Sequence, residues 1–519
     1  MYSEFNILGN HFGSGHGHVY RILTYEKLNN ISIDPLLLIL MLISTLILMS
    51  ISVNIKMEYK YASISELDNS HVGEQIILDG RIHNIRNKKN IGFIVLRNGI
   101  YSIQCVVIKN ILGMDKFKEL CDVPCESYIA LYGKINRLPE NVSRIQSCSY
   151  QDFEFSVDSF KVISKSSKKL PFQLDDANNV ESCDTDRNAV LLSTKLDNRS
   201  FDLRAPINKC IFKLQSGICE LFREYLLKEK FMEIHTPKLI NVASEGGAQV
   251  FGVKYFNKSA YLAQSPQLYK QMCINSDFNR VFEIGSVFRA ENANSHRHLT
   301  EFIGLDVEMT IPYGETYNFI IKLLWRMMYH IYANLKINYR DEYNYIKNIH
   351  KFEELVFPQE PLIIDFKEGV RLLNEYGFHQ DILEDLSTEN ERQLGKIIKD
   401  VHNSDLFLLD KYPTAVRPFY TMASDSDPNY TNSYDLIMRG EEICSGAQRI
   451  HDYEILKDNI QKKNINESSL QDYVESFSNG SKPHGGFGLG LERVLMLILN
   501  LGNVRRCSLY PRDPVRLTP

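Results

Sequence analysis

The pattern of apolar and polar positions divides the chain into stretches of different period. Between residues 71 and 164, apolar residues recur at every second position in five short runs. These are EQIILDGRIHNIR, GFIVLRNG, YSIQCVVI, SYIALYGKINRL and FEFSVDSFKVIS, and such alternation is that of half-buried strands. A helical pattern, MDKFKELCD, lies between the third and fourth runs, and Gly80, Gly92 and Gly133 fall where strands bend or turn. Together they predict a five-stranded barrel. Periodicity is lost over 165–205, where SKSSKKLPFQLDDANN and CDTDRN read as a polar linker. From Ile207 the period becomes helical through KCIFKLQSGICELFREYLLKEK, followed by a strand broken at Pro237. Alternation returns at 281–289 and 301–309, two strands joined by a polar loop. Helical patterns such as TYNFIIKLLWRMMYHIYANL and ERQLGKIIKDVHN occupy 314–410, and strand signals follow at LFLLDKYP, RPFYTMA and YDLIMRGEEICSGAQRI. A glycine-rich turn, an apolar helix (LERVLMLILNLG) and a basic tail close the chain.

Composition alters this picture little. At 519 residues the chain is too long for one ordinary core. Its formal net charge of −5 means that a polyanionic partner must be met by local basic surface. The 10 cysteines are scattered, with no CxxC and no zinc-like Cys/His spacing, as in an intracellular protein with reduced thiols. The N-terminus is the anomaly. Residues 36–53, LLLILMLISTLILMSISV, carry no charge and reach the minimum length of a membrane span. The run is too long and too far from Met1 for a signal-peptide core, and the flanking Arg21, Lys27, Lys56 and Lys60 set no orientation. Two readings stand. Either 1–56 holds a membrane segment, or translation begins at Met57 and 1–56 is no part of the working protein. His11, His16 and His18 read as a glycine-rich tail rather than a metal site.

Four segments carry chemistry. The loop within FEIGSVFRAENANSHRHLTEFIGLDVEM (282–309) holds Arg289, Glu291, His296, Arg297 and His298. It is too long and polar for an Asn-Gly or Asp-Gly hairpin turn, and its donors suit phosphate. In QSPQLYKQ (264–271), Pro266 suits the start of a helix, and Gln267 and Lys270 then share one face, an amide and an ammonium converging on something small and anionic. GEEICSGAQRIHD (440–452) places Glu441, Glu442, Ser445 and Arg449 around a small-residue turn. Carboxylates beside a hydroxyl suit Mg²⁺ bridging phosphates, and Arg449 can hold a carboxylate bidentately. GGFGLGLERV (485–494) brings backbone close to a ligand and sets Arg493 at a helix start, where dipole and guanidinium favour phosphate. No GK[ST] follows, and no βαβ unit surrounds it, so it is neither a P-loop nor a dinucleotide fingerprint. On the barrel, Phe93, Gln104 and Glu154 are candidates for an open face that binds single-stranded nucleic acid.

Taken in order, these segments resemble a class II aminoacyl-tRNA synthetase over about residues 57–519. The helix from Ile207 with the Pro237 strand is similar to the family's first motif, FRAENANSHRHLTEF to its second and GLGLERV to its third. SEGGA (244–248), QSPQLYKQ, EEICSGAQRIHD and the terminal YPRDPVRLTP resemble the aspartate-specific branch of eukaryotic and archaeal type. The resemblance implies an α+β chain. An OB-fold anticodon-binding barrel (57–170) and a hinge (171–205) precede a catalytic domain (206–519), built on an antiparallel sheet flanked by helices, with a helical insertion at about 314–410. It implies a cytoplasmic homodimer, with Pro237 in the dimer interface. That dimer would ligate L-aspartate to tRNA(Asp) with ATP and Mg²⁺ through an aspartyl-adenylate, releasing AMP and pyrophosphate.

The same resemblance assigns residues. Arg289 and Arg493 would be catalytic, Arg289 holding the α-phosphate and the substrate carboxylate. Glu291 would read the adenine edge, Phe302 would stack on the ring, and Arg493 would close the other face beside Gly490. Arg297 and His298 would contact the outer phosphates. Leu299, Gly488, Leu491 and Glu492 would complete the ATP site, and Glu442 and Ser445 would position Mg²⁺. Lys270 and Arg449 would bind the aspartate side chain, with Gln267 and Glu245 near its ammonium, and Ser445 would also face the amino acid. Residues from Ser244 would form a mobile loop over it, and Phe93, Gln104 and Glu154 would read anticodon bases. Phe487 stands where a glycine is usual and is expected to crowd one wall; the family's Lys-rich N-terminal extension is missing. An asparagine-specific enzyme shares fold and motifs, but two cations suit a carboxylate better than an amide. A non-discriminating enzyme that also charges tRNA(Asn) stays open. A catalytically dead paralogue would be expected to lose Arg289 or Arg493, and an asparagine synthetase of this fold would lack the barrel.

Overall fold

The computed structural model describes residues 59–138, 143–180, 189–241, 250–356 and 358–519. The 36–53 run, Cys183 and the loop with Ser244 and Glu245 lie outside the described residues. Five strands close the barrel: β1 (Gln75–Lys88), β2 (Ile91–Asn98), β3 (Tyr101–Ile108), β4 (Tyr128–Arg137) and β5 (Phe153–Ser164). Their order is β1-β2-β3-β5-β4, with β4 pairing back to β1, and β3 and β5 run parallel. A further short strand, Lys60–Tyr61, runs parallel to β1. Helix α1 (Met114–Cys121) drives Phe117 and Leu120 into the barrel core. At Gly133 a Cβ would lie 1.9 Å from the Ser156 carbonyl oxygen, so the β4–β5 approach that closes the barrel requires glycine there.

The second unit is built on an eight-stranded sheet. Its strands are β6 (Met232–Glu233), β7 (Arg280–Phe288), β8 (Glu301–Thr310), β9 (Ile363–Asp365), β10 (Leu406–Asp410), β11 (Ser433–Met438), β12 (Glu441–Gln448) and β13 (His484–Gly490). They lie in the order β9-β10-β11-β12-β13-β8-β7-β6, antiparallel except for the outermost pair at each edge. Helices α2 (Pro206–Lys228), α3 (Gln267–Asn275), α4 (Asn318–Asn338), α5 (Arg340–His350), α6 (Phe366–Glu375), α7 (Thr388–His402), α8 (Gln471–Ser478) and α9 (Leu491–Ile498) pack around it. One face is sealed by α2 and α4, whose Phe222 and Trp325 join Phe487 and Leu489 of β13 in a single apolar core. The other face is left for polar side chains.

Three expectations are corrected here. Phe487 does not crowd a binding wall: strand alternation turns it into the core, and the glycines on either side face the other way. The run 314–410, expected as a helical insertion, is not helical alone. Helix α4 belongs to the main core, β9 and β10 extend the sheet, and only α6 and α7 build a separate apolar cluster. The hinge at 171–205 is not a free tether in its described part. Arg199 is buried against Asp202 at 2.5 Å and donates to the Leu509 and Ser508 carbonyls, tying it to the C-terminal segment. The barrel is fastened to the segment leading into α2 by Arg97 of β2, which pairs with buried Glu126 at 2.7 Å and donates to the Arg204 carbonyl at 3.0 Å.

Strand β13 fits between β8 and β12 because four of its seven residues are glycine. A Cβ at Gly486 would lie 2.0 Å from the Val307 carbonyl oxygen, and one at Gly485 would lie 2.5 Å from that of Ala447. Backbone atoms of a central sheet cannot move aside. Gly486→Ala should therefore cost about 3 kcal/mol or more, seen as a lowered urea midpoint or as insoluble protein.

Candidate active site

A cavity of about 400 Å³ opens on the polar face of the sheet. Its floor is β8, β12 and β13, and its walls are α3, the β7–β8 loop and the segment 416–421. The structure brings most of the expected residues to this cavity: Gln267, Lys270, Arg289, Glu291, Arg297, His298, Leu299, Phe302, Glu442, Ser445, Arg449, Gly488, Gly490, Glu492 and Arg493. Leu491 is an exception. As the first residue of α9 it turns into the apolar core.

At one end lie two buried cations, and neither is bare. Arg449 Nε donates to Glu308 Oε1 at 3.0 Å and its Nη2 to Oε2 at 3.3 Å. Lys270 Nζ lies 3.3 Å from Glu308 Oε2 and donates to Asp306 Oδ1 at 3.1 Å. Glu308 is fully buried. Burial alone would raise its pKa, but Arg449 and then Lys270 outweigh this and hold the carboxyl below its ordinary value. The two carboxylates stand two apart on β8, so they share the pocket face of one strand. They lay in plain view in GLDVEM, yet sequence reasoning missed them, because only the β8–β13–α3 packing shows what they touch.

At the other end the β7–β8 hairpin supplies the nucleotide-like wall. Its pairing runs without a slip from Arg280 opposite Met309 to Phe288 opposite Glu301. Arg289 begins the loop, its N–H pinned to the Thr300 carbonyl at 2.9 Å, and its guanidinium lies 5.7 Å from the Phe302 ring centroid and 4.0 Å from Glu291. Arg493 of α9 donates to the Glu442 carbonyl at 2.8 Å and the Arg297 carbonyl at 3.3 Å, tying the helix to both neighbouring walls. Arg297 is held at 2.8 Å by Glu391 and at 2.9 Å by the Thr388 hydroxyl, both from α7. His298 is pushed below its ordinary pKa by burial and by nearby Arg493. His296 turns away from the cavity and meets Glu441 at 2.6 Å.

Comparison with known proteins fits this geometry. Residues 192–514 match the family model of class II tRNA synthetases (D, K and N), and residues 76–163 match an OB-fold nucleic acid binding domain. The chain belongs to the class II tRNA synthetases. It is 42% identical to the cytoplasmic aspartate–tRNA ligase of Caenorhabditis elegans, over 88% of this chain and 87% of that one. The aspartyl-tRNA synthetase structure from Entamoeba histolytica superposes with a TM-score of 0.81 at 40% identity, covering 89% of this chain and 94% of that one. The asparaginyl-tRNA synthetase from Pyrococcus horikoshii, solved with asparaginyl-adenylate, is more distant: TM-score 0.77, 26% identity, coverage 89% and 100%.

In this synthetase a β-bulge decides which side chains of β12 face the cavity. The β11–β12 register slips between Leu436 and Ile437, which face Cys444 and Glu442, so Ile443 is the extra residue. Glu442 and Ser445, three apart, can therefore both reach the pocket, which a regular strand would forbid. Asp435 stands opposite Ser445 in the register. Its Oδ2 takes a hydrogen bond from Arg417 at 2.8 Å, while its Oδ1 is buried without a partner among the described residues. Burial pushes this carboxyl up to about 6 despite Arg417. A hard cation shared with phosphate oxygens fits this donor set of Asp435, Glu442 and the Ser445 hydroxyl. Among the described residues no cluster of three or more metal-ligating His, Cys, Asp or Glu side chains occurs. Asp435 and Arg417 were missed in the sequence. Asp435 shows there only as an acid in an apolar strand, and Arg417 sits in RPFYTMA, read as a strand but largely a loop, with its guanidinium 3.8 Å from the Tyr412 ring centroid.

Away from the cavity, Gln104 and Glu154 stand side by side on β3 and β5, and Phe93 lies on β2 one residue-pair step along, opposite Val106, with Lys88 5.9 Å over its ring. Pro237 is exposed in the loop after the edge strand β6, near exposed Met232 and Leu239.

Glu492 supplies a pH test. It is 5% exposed, accepts from the Ile303 N–H at 3.1 Å, and is pushed by burial up to about 7. A raised carboxyl pKa means the folded state favours the proton. The contribution is thus complete below the ordinary Glu value and is lost as pH rises through about 7. Glu492→Gln should gain stability over wild type between about pH 4.5 and 7, by about 3 kcal/mol, and then hold that lead. Paired thermal melts across this range would check it.

Proposed function

We propose that this synthetase activates L-aspartate with ATP and transfers it to tRNA(Asp). The observation that carries the reading is the buried group of Lys270, Arg449, Glu308 and Asp306 at one end of the cavity. Before substrate enters, two cations face two carboxylates. An amino acid's ammonium set against Asp306 and Gln267 satisfies one of those carboxylates. Lys270 and Arg449 against Glu308 then keep one positive charge in excess, and a side-chain carboxylate neutralises it. Asparagine would leave that charge buried and uncompensated, the costly case for a desolvated ion. The relatives named for aspartate support the same choice.

The rest of the cavity is arranged for phosphoryl chemistry that asks for positioning and preorganised charge. Arg289 would hold the α-phosphate and the reacting carboxylate, with Glu291 and Phe302 on adenine and Arg493 on its second face. Gly488, Gly490 and Leu299 would let the nucleotide approach, and Arg297 and His298 would take the outer phosphates, Arg297 exchanging Glu391 for them. Glu442, Asp435 and Ser445 would hold Mg²⁺, which supplies charge neutralisation at the phosphates. The barrel would offer Phe93 for stacking and Gln104 with Glu154 for hydrogen bonds to anticodon bases. Exposed Met232, Leu239 and Pro237 beside edge strand β6 fit a second copy of the chain, giving a homodimer. The compartment would be the cytoplasm, as in the relatives' names. No helix among the described residues is long and apolar enough to cross a membrane.

The test is ATP–pyrophosphate exchange with aspartate and with asparagine, followed by charging of purified tRNAs. Aspartate-dependent exchange should exceed that with asparagine by about 100-fold or more. Equal rates would overturn the aspartate assignment, and charging of tRNA(Asn) would mark a non-discriminating enzyme. Arg289→Ala should abolish exchange without altering the sedimentation of the dimer; near-wild-type exchange would remove Arg289 from the reacting phosphate.

A further inference from the structure

Behind the ammonium end of the cavity runs a closed chain of buried hydrogen bonds. His484, the first residue of β13, has its Nδ1 2.7 Å from the Lys482 carbonyl, an acceptor, so that nitrogen carries the proton. Its Nε2 is then an acceptor and receives the Gln271 amide N–H at 3.1 Å. That fixes the Gln271 amide, whose Oε1 accepts from Tyr473 at 3.1 Å and from Gln267 Nε2 at 3.0 Å. Gln271 and His484 are wholly buried, and Tyr473 and Gln267 nearly so. Each amide could in principle sit either way round, and here every link is decided by the one before it. Gln267 must direct Nε2 inward, with one of its N–H groups on Gln271, which leaves its carbonyl oxygen as the amide atom that can face the cavity.

We infer that His484, Gln271 and Tyr473 are positioning residues that set the polarity of Gln267, so that the pocket offers the substrate ammonium an acceptor and not a competing donor. The inference rests on the aspartate reading above. Burial holds His484 neutral, with its pKa lowered to about 4, so the chain keeps one sense throughout the physiological range. Reversed, the relay would point an NH₂ at an ammonium. Its effect is therefore confined to ligands that carry that charge.

A ligand pair reads this out: aspartate, and succinate, which is aspartate without its ammonium. In Gln271→Leu the KM for aspartate should rise about tenfold, the effect of one hydrogen bond to a charged group, while the KM for ATP and the inhibition constant of succinate stay within about twofold. Gln271→Glu still accepts from Gln267 and Tyr473, with His484 taking a proton to face it, so it should restore aspartate binding to within about threefold of wild type. Should Gln271→Leu not fold, Tyr473→Phe carries the same test, with a rise of about threefold for aspartate and none for succinate. Equal losses for aspartate and succinate would show a merely structural role, and an unchanged KM for aspartate would remove the relay; either overturns the inference. If wild-type protein shows no aspartate-dependent exchange, it is the aspartate reading that fails, independently of the relay.

Discussion

The fully buried carboxylate of Glu308 is the interaction on which this site depends. Arg449 reaches it from beyond β12 and Lys270 from α3, while Glu308 itself stands on β8. Two cations could not be kept under a protein surface without it, because each would face several kcal/mol of desolvation. With it, three elements far apart in sequence are locked into one charged end of the cavity, its sign set before any substrate arrives. The group also shares walls with β13, since Lys270 donates to the Phe487 carbonyl. The glycine strand can bring that carbonyl so close only because its neighbours carry no side chains.

The opposite end is governed by a different logic. There the arginines lie at loop and helix starts, partly open, and are held by groups a ligand can replace. Arg297 is lodged against Glu391, whose other oxygen takes the backbone N–H of Glu442. Helix α7 therefore sits in contact with β12, the strand that carries Glu442 and Ser445. A cavity fixed at one end and exchangeable at the other suits two ligands with different demands, one small and selected, the other large and polyanionic.

Much of this was legible in the chain. The five barrel strands and the hairpin follow from alternation, and the structure places them within a residue or two. The glycine run read as a turn is instead the central strand β13, because its missing side chains let two neighbouring strands close on it. Motif spacing carried most of the site, because Arg289, Arg297, Arg493, Gln267 and Glu442 lie in compact segments; the SGA beside Glu442, read as a turn, is part of strand β12. The failures share a cause. Leu491 lies in a motif but faces the core, because α9 starts there with its apolar side inward. Phe487 looked like an intruder and is a core residue. RPFYTMA has strand-like composition, but its Pro418 and the stacking of Arg417 on Tyr412 belong to a loop.

The sequence by itself determined the two-part architecture, the elements that bear the motifs and the chemical kind of each end of the cavity, since these depend on periodicity and on residue types close together in the chain. Only the tertiary structure decided which charges meet. That Lys270 and Arg449 are answered by Asp306 and Glu308, and that His484 sets the amide of Gln267, depend on contacts between residues tens to hundreds of positions apart; that a bulge at Ile443 turns Glu442 and Ser445 to one side, over Asp435, depends on the pairing register of β11 with β12. Electrostatic energy in a low-dielectric interior is set by distance through space, and separation along the chain says nothing about such distances.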